Sequence, residues 1–447
     1  MLYFLLKSLT NIFYRIFYKY KFKGHENIPT DRPIVFAPNH TNGFIDPIVI
    51  AMVLSQKIRF FARGDVFKGR LAKWAFNSMN MSPIYRLQEG YSEIKKNDKT
   101  FEECRRLLAE NKALLIFPEA ICVQEQRLQP LKKGLSRIIF QTEESFDFKK
   151  EVVVIPIGIN YSFKKKFRSH LFVEFGVPIS LVDYKERYTL DKVRTINTFT
   201  KILQDKISEL IITIDNADND RLVKNIEEIY WNEFGEDGKA TDVEKKYLLK
   251  RKMVNVINHN DVYNSELIKS INLVVSNYNK LLTEHKLRDH LFRSEIINKT
   301  NIVDFFIEFF VIWIGTPFYL LGLIFNYLPF YIAKRFSDKK IKKVEFYDSV
   351  CVNMSMILWL IYFLIQLIVV MFLFHNWILL FVFALSVILL GSFLLFFYSL
   401  KKKITGRWRL LRLVRHKRNV IENLIAKRAD IIEKLIFANN NYDTFSK

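Results

Sequence analysis

The sequence predicts an α/β domain followed by a helical connector and a C-terminal α-helical membrane region. Three observations predict it. Between residues 24 and 182, short β-rich apolar runs alternate with helical patterns. From 183 to 300 the chain turns rich in Lys, Glu, Asn and Ile at helical periodicity, almost without Gly or Pro. Beyond residue 301 the hydropathy rises into long apolar stretches.

Taken in order, residues 1–23 place Leu5, Leu6, Leu9, Ile12, Phe13, Ile16 and Phe17 at helical spacing, with Lys7, Arg15 and Lys19 available to anionic head groups. That pattern suits an interfacial membrane helix; a helix packed on the domain's own core is the alternative. Its apolar runs are too short for a secretory signal peptide. The runs at 33–37, 58–62, 113–117, 152–159 and 171–175 are near-continuously apolar, as strands buried on both faces of a sheet are. Within the connector, 235–238 marks a turn between helices.

The membrane region is expected over 301–400, with segments at 304–333, 352–374 and 377–399. Only His375 and Asn376 separate the last two, so they form a tight hairpin over 352–399. The first is interrupted by Gly315, Pro317, Gly322 and Pro329, which break helices. The basic stretches 334–343 and 401–418 both belong on the cytoplasmic side, with the α/β domain. A single crossing at 304–333 would put the second of them outside, so a re-entrant or in-plane element is expected there. The remainder, 401–447, is a basic cytosolic tail whose Ile421, Leu424, Ile425, Ile431, Ile432 and Leu435 mark an amphipathic helix.

Half of the residues are hydrophobic, yet the formal net charge is +22. Long apolar runs with many Lys and Arg between them point to a membrane surface or a polyanion. Nucleic acid is not expected, because no zinc-finger spacing, aromatic RNA-binding signature or basic heptad is present. Cys104, Cys122 and Cys351 fit neither a disulfide framework nor a metal site, and the scattered histidines include no HExxH, so no metal is expected.

At 34–46 a strand runs into a turn carrying Asn39, His40 and Asp46. Acylating an alcohol needs a base for the hydroxyl proton, and His titrates near the working pH. A carboxylate on the far ring nitrogen fixes its tautomer. Phe117, Pro118 and Glu119 end another strand, where ligands of open α/β sheets bind. Arg86 closes a short apolar stretch and offers a planar fork to a phosphate; Lys132 and Lys133 add two cations. Each of these alone also fits a solvated surface charge.

Together and in this order, the segments resemble the glycerolipid acyltransferase family, which includes glycerol-3-phosphate and lysophosphatidate acyltransferases. The family's first block is matched by Asn39, His40 and Asp46, its second by Arg86, its third by Phe117 to Glu119 with Lys132, Lys133 and Gly134, and its fourth by 153–158. The resemblance implies His40 as base, Asp46 as its orienter, and Asn39, Arg86, Glu119, Arg127, Lys132 and Lys133 on the substrate side. It implies an acyl-CoA or acyl carrier protein donor, an acceptor hydroxyl, membrane lipids as surroundings, and no cofactor.

Two departures bear on the acceptor. Five residues separate His40 from Asp46 where four are usual, a form similar to the fungal glycerol-3-phosphate and dihydroxyacetone-phosphate acyltransferases. That branch also carries an LRD sequence in its connector, here Leu287 to Asp289. After Phe-Pro-Glu, the usual Gly-Thr-Arg is Ala120, Ile121 and Cys122, so a phosphate-binding Arg is missing and Arg127, Lys132 or Lys133 would replace it. The resemblance thus implies acylation of the sn-1 hydroxyl of glycerol 3-phosphate or dihydroxyacetone phosphate in phospholipid biosynthesis. A lysophospholipid acyltransferase making phosphatidic acid is the alternative. From another class, the chain could be a membrane scaffold that keeps the fold without turnover.

Overall fold

The apolar runs of the first half assemble into an eight-stranded sheet in the computed structural model, which describes residues 2–54, 56–67, 69–85, 97–123, 127–164, 166–235, 242–258, 262–293 and 302–440. Its strands are β1 (Tyr18–Lys23), β2 (Ile34–Pro38), β3 (Ile58–Arg63), β4 (Met81–Ile84), β5 (Ala113–Leu115), β6 (Val153–Tyr161), β7 (Ser169–Phe175) and β8 (Ile179–Ser180). The order is β1-β7-β6-β2-β5-β3-β4, with β8 beside β6. All neighbours are parallel except β7 and β8, which run antiparallel to β6. Every residue of β2 is buried, as the continuous run Ile-Val-Phe-Ala requires of a central strand. Because β6, β2 and β5 are adjacent and parallel, their carboxyl ends open on one edge of the sheet.

The chain divides into two compact units, Met1–Thr213 with Lys342–Val350, and Ile214–Ile341 with Cys351–Lys447. In the first, the sheet packs against α3 (Arg70–Ser78), α4 (Asn97–Ala109), α5 (Gly134–Ser145) and α7 (Lys192–Glu209); α2 (Ile45–Val53) and α6 (Lys185–Leu190) complete it. Helix α7 belongs to this core although its polar composition resembles the connector. Its Phe199, Leu203 and Ile207, four residues apart, are buried with Phe140 and Val154. Asp191 caps it by accepting from the Arg194 amide at 2.9 Å. The N-terminal helix α1 (Leu2–Phe17) turns Tyr3 and Tyr14 into the core and leaves Phe4, Leu5, Leu9, Ile12 and Ile16 exposed.

The second unit is helical: α8 (Asn219–Phe234), α9 (Val243–Asn258), α10 (Val262–Glu284), α11 (Ile302–Lys340), α12 (Val344–Phe374, whose first turns belong to the other unit), α13 (Trp377–His416) and α14 (Arg418–Asn440). Asp289, from the LRD sequence, is its buried polar hub. It accepts from Tyr278 Oη at 2.7 Å, Asn232 Nδ2 at 2.9 Å and Arg428 Nε at 3.0 Å, while Arg428 Nη1 donates to Glu233 at 2.7 Å.

Three helices among the described residues are long and apolar enough to cross a membrane: Phe306–Lys340, Val344–Phe374 and Trp377–His416. Helix α11 runs without interruption through Pro317 and Pro329: it does not turn back as a re-entrant element does, whereas an in-plane helix is continuous in the same way. Two features make continuity possible. Gly315 and Gly322 admit α13 so closely that a Cβ would lie 2.2 Å from the Phe397 ring and 2.8 Å from the Leu390 carbonyl. Pro329 has no N–H for the Phe325 carbonyl four residues back, and Gln366 Nε2 donates to that oxygen instead, at 3.1 Å.

Candidate active site

His40 lies just past the end of β2, in a short loop that leads into α2. Its Nδ1 is 3.0 Å from Asp46 Oδ2, and its ring stacks on Phe117 with centroids 3.9 Å apart. This leaves Nε2 as the nitrogen for a substrate hydroxyl. Asp46, in the first turn of α2, is fully buried. The same Oδ2 accepts from the amides of Thr41 at 2.8 Å and Asn42 at 2.7 Å, while Oδ1 accepts from Tyr161 Oη at 2.8 Å. The five-residue spacing is therefore accommodated by a turn over Thr41 to Phe44, whose first two amides donate to the carboxylate. A carboxylate with four donors and no exposure is held in one orientation, as an orienter of a base must be. Burial and the Asp46 charge push the Tyr161 phenol far above its ordinary range, so it stays a donor.

The end of β6 grips this loop along its length. Asn39 Oδ1 accepts from the Ile159 amide at 2.7 Å, and Asn39 Nδ2 donates to the Ile159 carbonyl at 3.2 Å. Lys164 Nζ donates to the Thr41 carbonyl at 2.8 Å, and burial lowers its pKa from the usual lysine value. Tyr18 from β1 donates to the Lys164 carbonyl.

Glu119, 1% exposed, accepts from the His40 amide at 2.6 Å through one oxygen and from the Gln129 amide at 2.9 Å through the other. Burial pushes its carboxyl up to about 7, outweighing the two amide donors, which act the other way. Ala120, at the place of the usual glycine, has φ +58°, so the left-handed turn is kept by a residue with a Cβ. Cys122, at the place of the usual arginine, accepts from the Gly43 amide at 3.2 Å through Sγ. Its thiol is pushed up to about 12 by burial, which makes it an acceptor within the loop and a poor nucleophile.

The expected site residues divide accordingly. His40 and Asp46 come together. Asn39 and Glu119, expected on the substrate side, are buried and direct their side chains to backbone groups of the loop and its neighbours. Lys132 and Lys133 are exposed at the start of α5, beside the Phe-Pro-Glu turn, where the Lys132 amide donates to the Pro118 carbonyl at 2.8 Å. Arg127 is half-buried and engaged with neighbours. Arg86 lies outside the described residues. Tyr161 and Lys164 belong to no motif. What could have pointed to Tyr161 is its place at the carboxyl end of a strand next to β2. Among the described residues no group of three His, Cys, Asp or Glu could hold a metal ion.

A mostly parallel sheet with a His–Asp pair at its carboxyl edge makes this an α/β domain equipped for general-base chemistry, and it resembles known proteins. Residues 19–160 match the Acyltransferase family model. Glycerol-3-phosphate O-acyltransferase 1 of Saccharomyces cerevisiae is 27% identical over 52% of this chain and 30% of its own length. Glycerol-3-phosphate O-acyltransferase 2 of the same yeast is 33% identical over 28% of this chain and 17% of its own length. A 1-acyl-sn-glycerol-3-phosphate acyltransferase of Chlamydomonas reinhardtii is 29% identical over 26% and 34%. The matched regions thus span about a third or less of these relatives. The crystal structure of the 1-acyl-sn-glycerophosphate acyltransferase PlsC from Thermotoga maritima is similar at TM-score 0.34 and 17% identity, over 46% of this chain and 78% of that one. Residues 19–160 are thus similar to the Acyltransferase family, and the relatives they resemble are named as acyltransferases of glycerolipid synthesis.

Proposed function

We propose that the chain transfers a fatty acyl group from an acyl thioester to the sn-1 hydroxyl of glycerol 3-phosphate or dihydroxyacetone phosphate. The observation that carries this is the His40–Asp46 pair, oriented by a fully buried carboxylate with three further donors. His40 Nε2 takes the hydroxyl proton as the acceptor oxygen attacks the thioester carbonyl carbon. The tetrahedral oxyanion collapses, the C–S bond breaks, and His40 returns the proton to the departing thiolate of acyl-CoA or acyl carrier protein. Lys132 and Lys133, exposed beside the Phe-Pro-Glu turn, suit the acceptor phosphate, and the family resemblance assigns Arg86 to the same group.

The names of the two yeast relatives favour glycerol 3-phosphate. The Chlamydomonas relative supports the second reading, acylation of a lysophosphatidate to phosphatidic acid. The α/β domain faces the cytoplasm: residues 342–350 belong to its unit and adjoin the basic stretch 334–343.

The test uses membranes containing the full chain, a labelled acyl donor, and glycerol 3-phosphate, dihydroxyacetone phosphate and lysophosphatidate in parallel. Glycerol 3-phosphate is expected to give the highest kcat/KM, and His40→Ala to lower kcat by about 10²- to 10⁴-fold. Transfer unchanged in His40→Ala overturns the mechanism, and no transfer to any acceptor favours the scaffold.

A further inference from the structure

We propose that the first turns of α12, Phe346 to Ser349, are a positioning part of the catalytic site that sets the loop carrying His40. The proposal rests on the acyl-transfer reading above. None of the four sequence blocks includes this segment, and some 300 residues of chain separate it from His40.

The contact is made at Gly43, midway between His40 and Asp46. A Cβ on Gly43 would stand 2.8 Å from Ser349 Oγ and 2.9 Å from Phe346 Cδ1, so a side chain there must push one of these or the loop itself aside. The neighbouring Phe44 ring meets the Phe346 ring at 5.7 Å and 43°. Ser349 is fully buried, with Oγ donating to the Phe346 carbonyl at 3.1 Å, and Asp348 is buried too. The Asp348 charge acts on both Lys164 and Tyr18, the residues that hold the Thr41 side of the loop. Gly43 is thus bounded by Cys122 through its amide and by α12 at its Cα.

Gly43 follows directly on Thr41 and Asn42, whose amides fix the Asp46 carboxylate. A displacement of Gly43 moves those donors, then the carboxylate, then the imidazole. Catalytic groups tolerate about 0.5 Å of such error, and a misplacement of 1 Å costs roughly 10²-fold in rate. Helix α12 continues into an apolar stretch long enough to cross a membrane. The loop is therefore braced by the first turns of that helix.

Full-length variants in membranes test this with the acceptor that the wild type uses. Gly43→Ala is expected to lower kcat about 100-fold, with the acceptor KM within about twofold. The pair Phe346→Ala and Ser349→Ala should lower kcat about tenfold by unbracing the loop. Adding Gly43→Ala to that pair should cost less than about threefold more, because the atoms its Cβ would meet are gone. Phe346→Leu should recover most of the Phe346→Ala loss. A full additional 100-fold loss in the paired background, or a wild-type kcat for the pair, overturns the proposal.

A second readout does not depend on turnover. With Cys104→Ser and Cys351→Ser, a thiol reagent reports Cys122 alone, and Phe346→Ala should speed its labelling at least about tenfold at a similar melting temperature. Unchanged protection overturns the proposal. If the wild type transfers nothing to any acceptor, the enzyme reading fails, and Cys122 labelling still decides whether α12 braces the loop.

Discussion

Replacing Tyr161 with Phe removes a single hydroxyl and keeps the ring, which packs 5.6 Å from that of Tyr18. The hydroxyl is one of four donors to Asp46 and the only one on Oδ1 among the described residues. Its loss leaves a buried carboxylate oxygen unsatisfied, at a cost of about 1–3 kcal/mol. Part of that cost appears as lowered stability. The rest appears in the turnover number, because a carboxylate held only through Oδ2 can rotate about its Cβ–Cγ bond. One to two kcal/mol in the barrier corresponds to a fall in kcat of roughly 5- to 30-fold. Tyr161 is buried and bonds the Asp46 oxygen that His40 does not, so KM for the acceptor and donor should move by less than about twofold. The assay is steady-state acyl transfer in membranes, with thermal unfolding of the detergent-solubilised chain beside it. Unchanged kcat and melting temperature would refute the role. A raised KM at constant kcat would show that Tyr161 meets substrate instead.

Three further outcomes are expected. Ala120→Gly relieves a left-handed φ that costs an L-residue about 1–2 kcal/mol, and the entropy of glycine in the unfolded chain returns part of it. The variant should be more stable by up to about 1 kcal/mol; a lower melting temperature sinks that account. Glu119 has its pKa raised from 4.5 in the unfolded chain to about 7 in the fold, so the folded state binds its proton more tightly. Its contribution to stability is complete below 4.5 and is lost as the pH rises through 7, by about 3 kcal/mol at most. Denaturation of the wild type and Glu119→Gln at pH 5 and pH 8 measures it, and parallel responses of the two proteins count against it. Finally, Asp289→Ala strips the buried Arg428 of one of its two carboxylate partners, and Tyr278 and Asn232 of an acceptor, and should destabilise the second unit by about 3–5 kcal/mol. Calorimetry reads the loss, and a shift under about 1 kcal/mol would mean that the hub contributes little.

The sequence by itself determined the α/β class, strands β2, β3, β5, β6 and β7, the two apolar stretches on either side of His375 and the His40–Asp46 pair. These follow from local facts: apolar runs of strand length, turn residues and the order of short motifs. Tertiary structure decided the rest. Strand β1, Tyr-Lys-Tyr-Lys-Phe-Lys, is half polar because it lies at an edge of the sheet, and no apolar run announces it. Helix α7 reads like the connector until the sheet offers its Phe199, Leu203 and Ile207 stripe a partner. Pro317 and Pro329 read as breaks, yet α11 is continuous because a side chain on another helix supplies the donor that Pro329 lacks. Asn39 and Glu119 carry the motif's wording, but their orientation depends on which backbone groups fold against them. For His40 and Asp46, spacing tells that the two can meet. That Tyr161 and Lys164 bond to the loop and Phe346 packs on it depends on chain crossings 115 to 303 residues apart in sequence, as between Asp46 and Tyr161 or Gly43 and Phe346. Such contacts leave no local pattern, because only folding brings their partners together.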